Sequence, residues 1–518
     1  MSAPLIPDNA PFSSAQRAWL NGFFAGMVSV SSTQAAQPVM ATVPAPVKEE
    51  EAFPWHDPAL PIDERLKLAE GKPAARVLMA AMAQLDCGAC GYVCQTYAEA
   101  IADGADRDVT KCVPGGGETT KKLRELVQVT ARKNTAPPPA TARPASGAYD
   151  RNNPYPARLL SCRRLNTADS SKDTRHAEFG LAGSGLAYKP GDALGVFAEN
   201  CPDEVLQVLE LLSVSGAEDV PAIDGSHTSL HEALLRERSI TRPSEESLEL
   251  LQTMAPSDDE ARLRSMREED HFGELQIIDL LREFPKARPA AAEFIAALSP
   301  LQPRLYSISS SPLAHPDQVH LTVGAVRYRN RAGRRCKGVA STYLADRVRP
   351  GQKVHIFLQP SRHFELPKES STPIIMVGPG TGIAPFRAFL HHRKAVGATG
   401  QTWLFFGDQR SAGDFLYRDE LLGMHSDKTL TRLDTAFSRD QQEKIYVQHR
   451  MLENAAELWR WLQDGAHFYV CGDAKRMAKD VDAALHQIVR EQGGMDEVAA
   501  RAFVKELSKH HRYQRDVY

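Results

Sequence analysis

A chain of 518 residues, 42% hydrophobic and 25% charged, is long enough for about three domains and has the composition of an ordinary globular protein. Its formal net charge of −3 excludes a nucleic-acid partner held by bulk electrostatics. The longest apolar run, WLNGFFAGMVSV at 19–30, is too short to span a bilayer, so no membrane span is expected.

In chain order, residues 1–30 predict a short amphipathic docking helix in SSAQRAWLNGFFAGM, capped by Ser13 or Ser14. The same run could serve as a signal-peptide core behind Arg17. A single positive charge and the nearby Asp8 fit that reading poorly. Residues 31–61 and 133–150 are rich in Ala, Pro and polar groups and read as linkers, because they cannot bury enough surface to offset their ordering entropy. Between them, 62–132 forms a small, mainly helical unit. From 151 to 366 the chain is strand-rich, interrupted by amphipathic helical patterns over about 203–297, such as PDEVLQVLELL. From 367 to 518 apolar strands (PIIMVG, TWLFFG, HFYVCG) alternate with helices, which predicts a parallel sheet covered on both faces.

Four of the eight cysteines fall within 26 residues: Cys87, Cys90, Cys94 and Cys112. This clustering points to metal or redox chemistry in a reducing compartment, here the cytoplasm. The order is C-x-x-C-x-x-x-C, then seventeen residues, then Cys112. Four thiolates can wrap a 4Fe-4S cubane, with Gly88 and Gly91 relieving crowding in the tight loop. Structural zinc usually has two separated C-x-x-C pairs or histidines at set spacing, and no histidine lies between 57 and 175. Zinc and a redox disulfide remain the alternatives.

PIIMVGPGTGIAPFRAFL, 373–390, is a strand, a glycine turn and a helix. Gly378, Gly380, Thr381 and Gly382 let a pyrophosphate approach the backbone at a helix start. In FSRDQQEKIYVQHRM, 437–451, Ser438 and Arg439 precede Lys444, Tyr446 and Gln448, which alternate and on a strand would point the same way. Two cations with hydroxyl and amide groups suit the 2′-phosphate that distinguishes NADPH from NADH, although a solvated edge strand would read the same way. PRLYSISSSP, 303–312, gathers Arg304, Tyr306 and Ser307. GVASTYL, 338–344, offers Gly338, Val339, Ala340 and Ser341 to a second pyrophosphate. Thr322, Arg410 and Asp473 complete the cofactor-binding candidates.

RLYSISSSP, GVASTYL, VGPGTGIAPFRAFL, FFGDQR, FSRDQQEKIYVQHRM, YVCGDAKRMAKDVDAAL and RYQRDVY occur in that order. Together they resemble the reductase half of the diflavin reductases, and within that family the flavoproteins of NADPH–sulfite reductase. The resemblance covers about 154–518. It implies an antiparallel β-barrel that binds FAD, with a helical connecting insert, and an α/β NADP-binding domain of the ferredoxin–NADP reductase type. It also implies that Arg304 holds the flavin pyrophosphate and that the Tyr306 ring packs on the isoalloxazine. Ser307, Cys471 and Asp516 match the family's hydride-transfer trio, and Tyr518 matches the aromatic that covers the flavin. Without the resemblance, Cys471 reads as a buried core cysteine at a strand end. The cysteine segment looks like a small four-cysteine iron–sulfur domain of bacterial electron-transfer proteins.

The first 150 residues show no repeating βα pattern, so FMN is not expected. The predicted route is NADPH to FAD to a 4Fe-4S cluster to a redox partner. A sulfite reductase hemoprotein is favoured; an assimilatory nitrate or nitrite reductase, or a redox sensor with an idle reductase, are the alternatives.

Overall fold

The computed structural model describes residues 53–518 apart from 57–59, 86–87, 89, 107, 132–148, 269–274 and 362. The expected docking helix at 1–30, most of both linkers and Cys87 lie outside the described residues. The chain divides into two compact units, Met1–Phe53 and Pro54–Tyr518. The second holds the cysteine segment together with both strand-rich parts.

The cysteine segment is helical: Ile62–Leu68, Ala74–Ala81, Cys94–Ala102 and Gly116–Ala131. Leu78, Met79, Tyr97, Ala98, Ile101 and Leu123 are buried between these helices. The Thr119 hydroxyl ties the last helix to the Ala81 carbonyl at 3.1 Å. Arg65 is buried and donates to the Met82 carbonyl.

The next part is a six-stranded antiparallel sheet. Its order is Arg304–Ser307, Ala193–Val196, Lys353–Gln359, Tyr155–Arg164, Thr174–Gly180 and Gln318–Gly324. A bridge between Ile308 and Leu321 joins the two edges. Period-two alternation sends Ala157, Leu159, Ala177, Phe179, Val319, Leu321 and Val323 into one core. Between its strands Ala193–Val196 and Arg304–Ser307 lie helices from Pro202–Leu212 to Ala291–Ala297, packed around their own core, rich in Leu and Ile side chains.

The last part is a five-stranded parallel sheet in the order Arg432–Phe437, Thr402–Asp408, Ile374–Val377, His467–Gly472, Tyr513–Val517. Ile374–Val377 and Thr402–Asp408 are buried almost throughout, as strands covered on both faces must be. Running outward from Ile374–Val377 and then returning to its other side creates a switch point between Ile374–Val377 and His467–Gly472. In such sheets ligands bind in the crevice beyond the carboxyl ends of the strands at that point.

A polar seam joins the two sheets. The Tyr417 hydroxyl meets His176 Nδ1 at 2.8 Å and the Thr322 hydroxyl at 2.7 Å. His315 Nε2 lies 2.9 Å from His391 Nδ1, and His391 Nε2 lies 2.6 Å from Glu420. Arg387 bridges Glu420 and the Ser309 carbonyl. Among the described residues no helix is long and apolar enough to cross a membrane.

Candidate active site and cysteine loop

The glycine turn sits at the switch point. Gly380–Gly382 form one 3-10 turn and Ile383–Ala395 continues as the helix. A side chain on Gly382 would lie 2.1 Å from the Cys471 carbonyl oxygen, so only glycine lets the turn touch the neighbouring strand end. That contact brings the predicted nucleotide turn and Cys471 together.

Ser307, Cys471 and Asp516 come from three strands and converge. Asp516 Oδ2 accepts the Ser307 hydroxyl at 2.5 Å and the Cys471 thiol at 3.6 Å. Cys471 and Asp516 are direct neighbours in the parallel pairing of their strands. Burial first, and then the Asp516 carboxylate, push the Cys471 thiol well above its ordinary range, so it stays protonated and donates. Tyr518 follows the last strand, its backbone paired with Gly472 and Ala474. Its hydroxyl lies 2.8 Å from Thr381 Oγ1 on the glycine turn, where burial pushes it well above the ordinary tyrosine range, while the residue as a whole is 43% exposed.

Of the residues expected to hold flavin, Arg304, Tyr306 and Ser307 lie half-buried on an edge strand. The Arg304 guanidinium leans on the Gln302 and Pro303 carbonyls at 3.4 and 3.5 Å. Gly338 precedes the short helix Val339–Thr342, in which Ala340 and Ser341 are buried. A Cβ at Gly338 would meet Ser341 Oγ at 2.7 Å and Val326 at 2.9 Å, a closely built turn that fits a pyrophosphate. Thr322 does not share this edge: its buried hydroxyl is engaged by Tyr417 in the seam.

The 2′-phosphate candidates need one correction. Lys444, Tyr446 and Gln448 do not alternate on a strand. The strand ends at Phe437, and Val447–Glu453 is a helix. The Tyr446 amide donates to His449 Nδ1, a side-chain cap that starts the helix there. Gln448 sits in its first turn and reaches Asp480 at 3.3 Å. Ser438 and Arg439 are held at the strand end by backbone bonds to Asp408 and Gln409. Arg410 donates to the Arg439 carbonyl at 3.2 Å. Arg439, Lys444 and Tyr446 are all exposed. Asp473 caps the next turn through the amides of Arg476 and Met477.

Sequence reasoning missed Lys172 and Asp408, a salt bridge from the antiparallel part to the end of strand Thr402–Asp408, beside the glycine turn. Lys172 Nζ and Asp408 Oδ2 each lie 3.8 Å from where a Gly380 Cβ would be. Lys172 stands in KDTRHAEF and Asp408 in FFGDQR, both within the resemblance, but their meeting is a matter of tertiary structure.

Among the predicted ligands, Cys90, Cys94 and Cys112 are described. Cys94 is the first residue of its helix, where unpaired amides favour a thiolate. Burial pushes the Cys112 thiol up, while the Ala83 and Gly115 amides and the Arg65 charge pull the other way. Backbone amides at the sulfur, with the buried Arg65 charge nearby, fit a thiolate that would carry an anionic cluster. Gly88 and Gly91 have φ of +63° and +77°. A Cβ on Gly88 would fall 2.4 Å from Leu305 Cβ, and one on Gly91 2.9 Å from the Pro303 carbonyl oxygen. The cysteine loop therefore packs directly on the strand that carries Arg304, Tyr306 and Ser307.

The fold and this site define a flavin- and nicotinamide-binding oxidoreductase. Family models match in three places: "FAD binding domain" at 147–343, "Oxidoreductase NAD-binding domain" at 376–483 and "Putative Fe-S cluster" at 82–114. The chain is 44% identical over 391 residues to the sulfite reductase [NADPH] flavoprotein alpha-component of Bacillus subtilis, covering 74% of this chain and 64% of that one. It is 46% identical over 372 residues to the protein of that name from Mannheimia succiniciproducens, covering 71% and 62%, and 45% identical over 381 residues to that from Vibrio cholerae, covering 73% and 62%. Over most of its length the chain is thus similar to the sulfite reductase flavoproteins. It spans somewhat under two thirds of the length of the curated relatives it matches.

Proposed function

We propose that this protein is a cytoplasmic NADPH-dependent flavoreductase that sends electrons from NADPH through FAD and a 4Fe-4S cluster to a sulfite reductase hemoprotein. The observation that carries the relay is the cysteine loop seated on the flavin strand through Gly88 and Gly91. Bound flavin would accept hydride, and a bound cluster would pass its two electrons on singly. The antiparallel part would serve as the barrel that holds FAD on Arg304, Tyr306 and Gly338–Ser341. Ser307, Cys471 and Asp516 would meet the nicotinamide. Asp516 orients the thiol and the hydroxyl, and its negative charge supports the positive nicotinamide ring that forms. Tyr518 must swing from Thr381 to admit that ring. Arg439 and Lys444, with Ser438 and Tyr446, would read the 2′-phosphate, and Cys87, Cys90, Cys94 and Cys112 would hold the cluster.

The assembled Ser307–Cys471–Asp516 trio supports a working reductase over an idle sensor. The relatives cited are named for sulfite reductase, which favours that partner over a nitrate or nitrite reductase. The test is anaerobic purification with assays of iron, sulfide, zinc and flavin, then EPR on adding NADPH. Four irons, FAD without FMN, and an NADPH-induced reduced-cluster signal support the reading. Stoichiometric zinc in place of iron overturns the relay.

A further inference from the structure

The cysteine unit is joined to the antiparallel part by a segment whose sequence reads as a linker, so it could act as a carrier that leaves the flavin to deliver each electron. The contacts across the joint point elsewhere. Arg151, a few residues before strand Tyr155–Arg164, inserts its guanidinium between the two parts. It stacks 3.8 Å from the centre of the Tyr92 ring, two residues beyond Cys90. It also donates to Gln302 at 2.6 Å. Gln302 in turn lies under Gly91, with its Cβ 3.3 Å from where a Gly91 Cβ would be. Two further contacts flank this centre. The Ser299 hydroxyl donates to Asp108 at 3.2 Å, and Arg124 meets Glu245 of the helical insert at 2.9 Å. The joint therefore has a close backbone approach at Gly88 and Gly91, a largely buried cation at its centre, and polar contacts on two sides. A surface made to part and re-form would not need glycines to admit Leu305 and Pro303.

Resting on the relay proposed above, we infer that the cysteine unit is a fixed relay, seated by Gly88, Gly91 and Arg151. Electrons cross to it without domain movement, and the partner protein comes to the cluster. Arg151 is a positioning residue: it touches neither nicotinamide nor the hydride trio, and it holds the cysteine loop on residues 302–305.

The test uses the full chain carrying Arg124→Cys and Glu245→Cys, two exposed positions away from the cysteine ligands. A short bis-maleimide should bridge them in high yield, read by peptide mass. Stopped-flow absorbance then follows flavin bleaching by NADPH, cluster reduction by freeze-quench EPR, and delivery to cytochrome c as a one-electron acceptor. The bridged protein should keep cluster reduction and delivery within about twofold of the unbridged one. Neither rate should fall with glycerol viscosity beyond the effect on protein encounter. A tenfold loss of either rate on bridging overturns the inference, as does failure of the bridge to form. The bridge needs no cluster, so loss of docking is read separately from loss of the relay itself, which iron, sulfide and EPR report. In Arg151→Gln the cluster should keep its iron and EPR line shape while its reduction lags flavin bleaching at least tenfold. Unchanged timing in that variant removes Arg151 from the role.

Discussion

The Ser307–Cys471–Asp516 cluster, the proposed hydride site, and the cysteine loop are built in opposite ways. Ser307, Cys471 and Asp516 come from three strands of two different sheets: strand pairing sets Cys471 beside Asp516, and packing of sheet against sheet brings Ser307 to Asp516. The four cysteines come from one local stretch, which lies between the helices Ala74–Ala81 and Gly116–Ala131. The first site depends on the whole packing of sheet against sheet. The second depends on four side chains and a loop, with tertiary structure deciding only where that loop is laid down. Damage should therefore separate: lesions in the cysteine loop stop electron exit and spare hydride entry, and lesions in the trio stop entry.

Cys112→Ser should show the largest effect. Iron content should fall to near zero and reduction of the hemoprotein should be lost, while NADPH still bleaches the flavin. Retained flavin bleaching is what separates the two sites, and its loss would break the comparison. Asp516→Ala removes the acceptor of both the Ser307 hydroxyl and the Cys471 thiol. Stopped-flow flavin reduction should slow about a hundredfold, at the lower end of what a positioned acid–base group contributes, with iron content unchanged. Arg439→Ala with Lys444→Ala should cut the ratio of kcat/KM for NADPH over NADH. Each lost charge-assisted contact is worth about 1.5–3 kcal/mol, and steady-state kinetics with both nucleotides checks it.

The smallest effect concerns the seam that holds the two sheets in register. Burial first, and then nearby Arg387 and neighbouring histidines, hold the His176 ring at about 2. The same causes hold His320 at about 3 and His315 at about 4. Burial pushes the Glu420 carboxyl up, but the His391 hydrogen bond and Arg387 outweigh it and hold it at about 2. All four groups bind protons more readily in the unfolded chain. Their contribution is full above the unfolded histidine value, about 6.5, and is lost progressively as the pH falls from there towards 4 and below. Denaturant midpoints should drop between about pH 6.5 and 4, by on the order of 1 kcal/mol per pH unit for each proton taken up. A flat profile over that range would remove the seam histidines from the account.

Much of this was legible in the chain. The alternating βα segments announced the parallel sheet and the amphipathic patterns of 203–297 announced helices, whereas the antiparallel arrangement of the strand-rich part was implied only by the resemblance. PIIMVGPGTG announced the nucleotide turn because strand, glycines and helix are adjacent in sequence. Residues 444–448 misled, since period-two spacing cannot distinguish a strand from an extended segment that His449 caps into a helix. The bond between the Thr322 hydroxyl and Tyr417, 95 residues away, has no local signal. The pairing of Tyr513–Val517 beside His467–Gly472, which sets Asp516 against Cys471, leaves no local mark.

The sequence by itself determined which chemistry is available: four clustered thiols, a phosphate-ready glycine turn, and the groups of a hydride site. These are properties of residue type and short spacing, where local geometry dominates. Only the tertiary structure decided that Arg151 and Gln302 join the cysteine loop to the flavin strand, and that Lys172 reaches Asp408 across two sheets. Those contacts link residues more than 150 positions apart. They exist because burying two sheets and a helical unit against one another brings those surfaces together, and no local pattern in the chain records which surfaces meet.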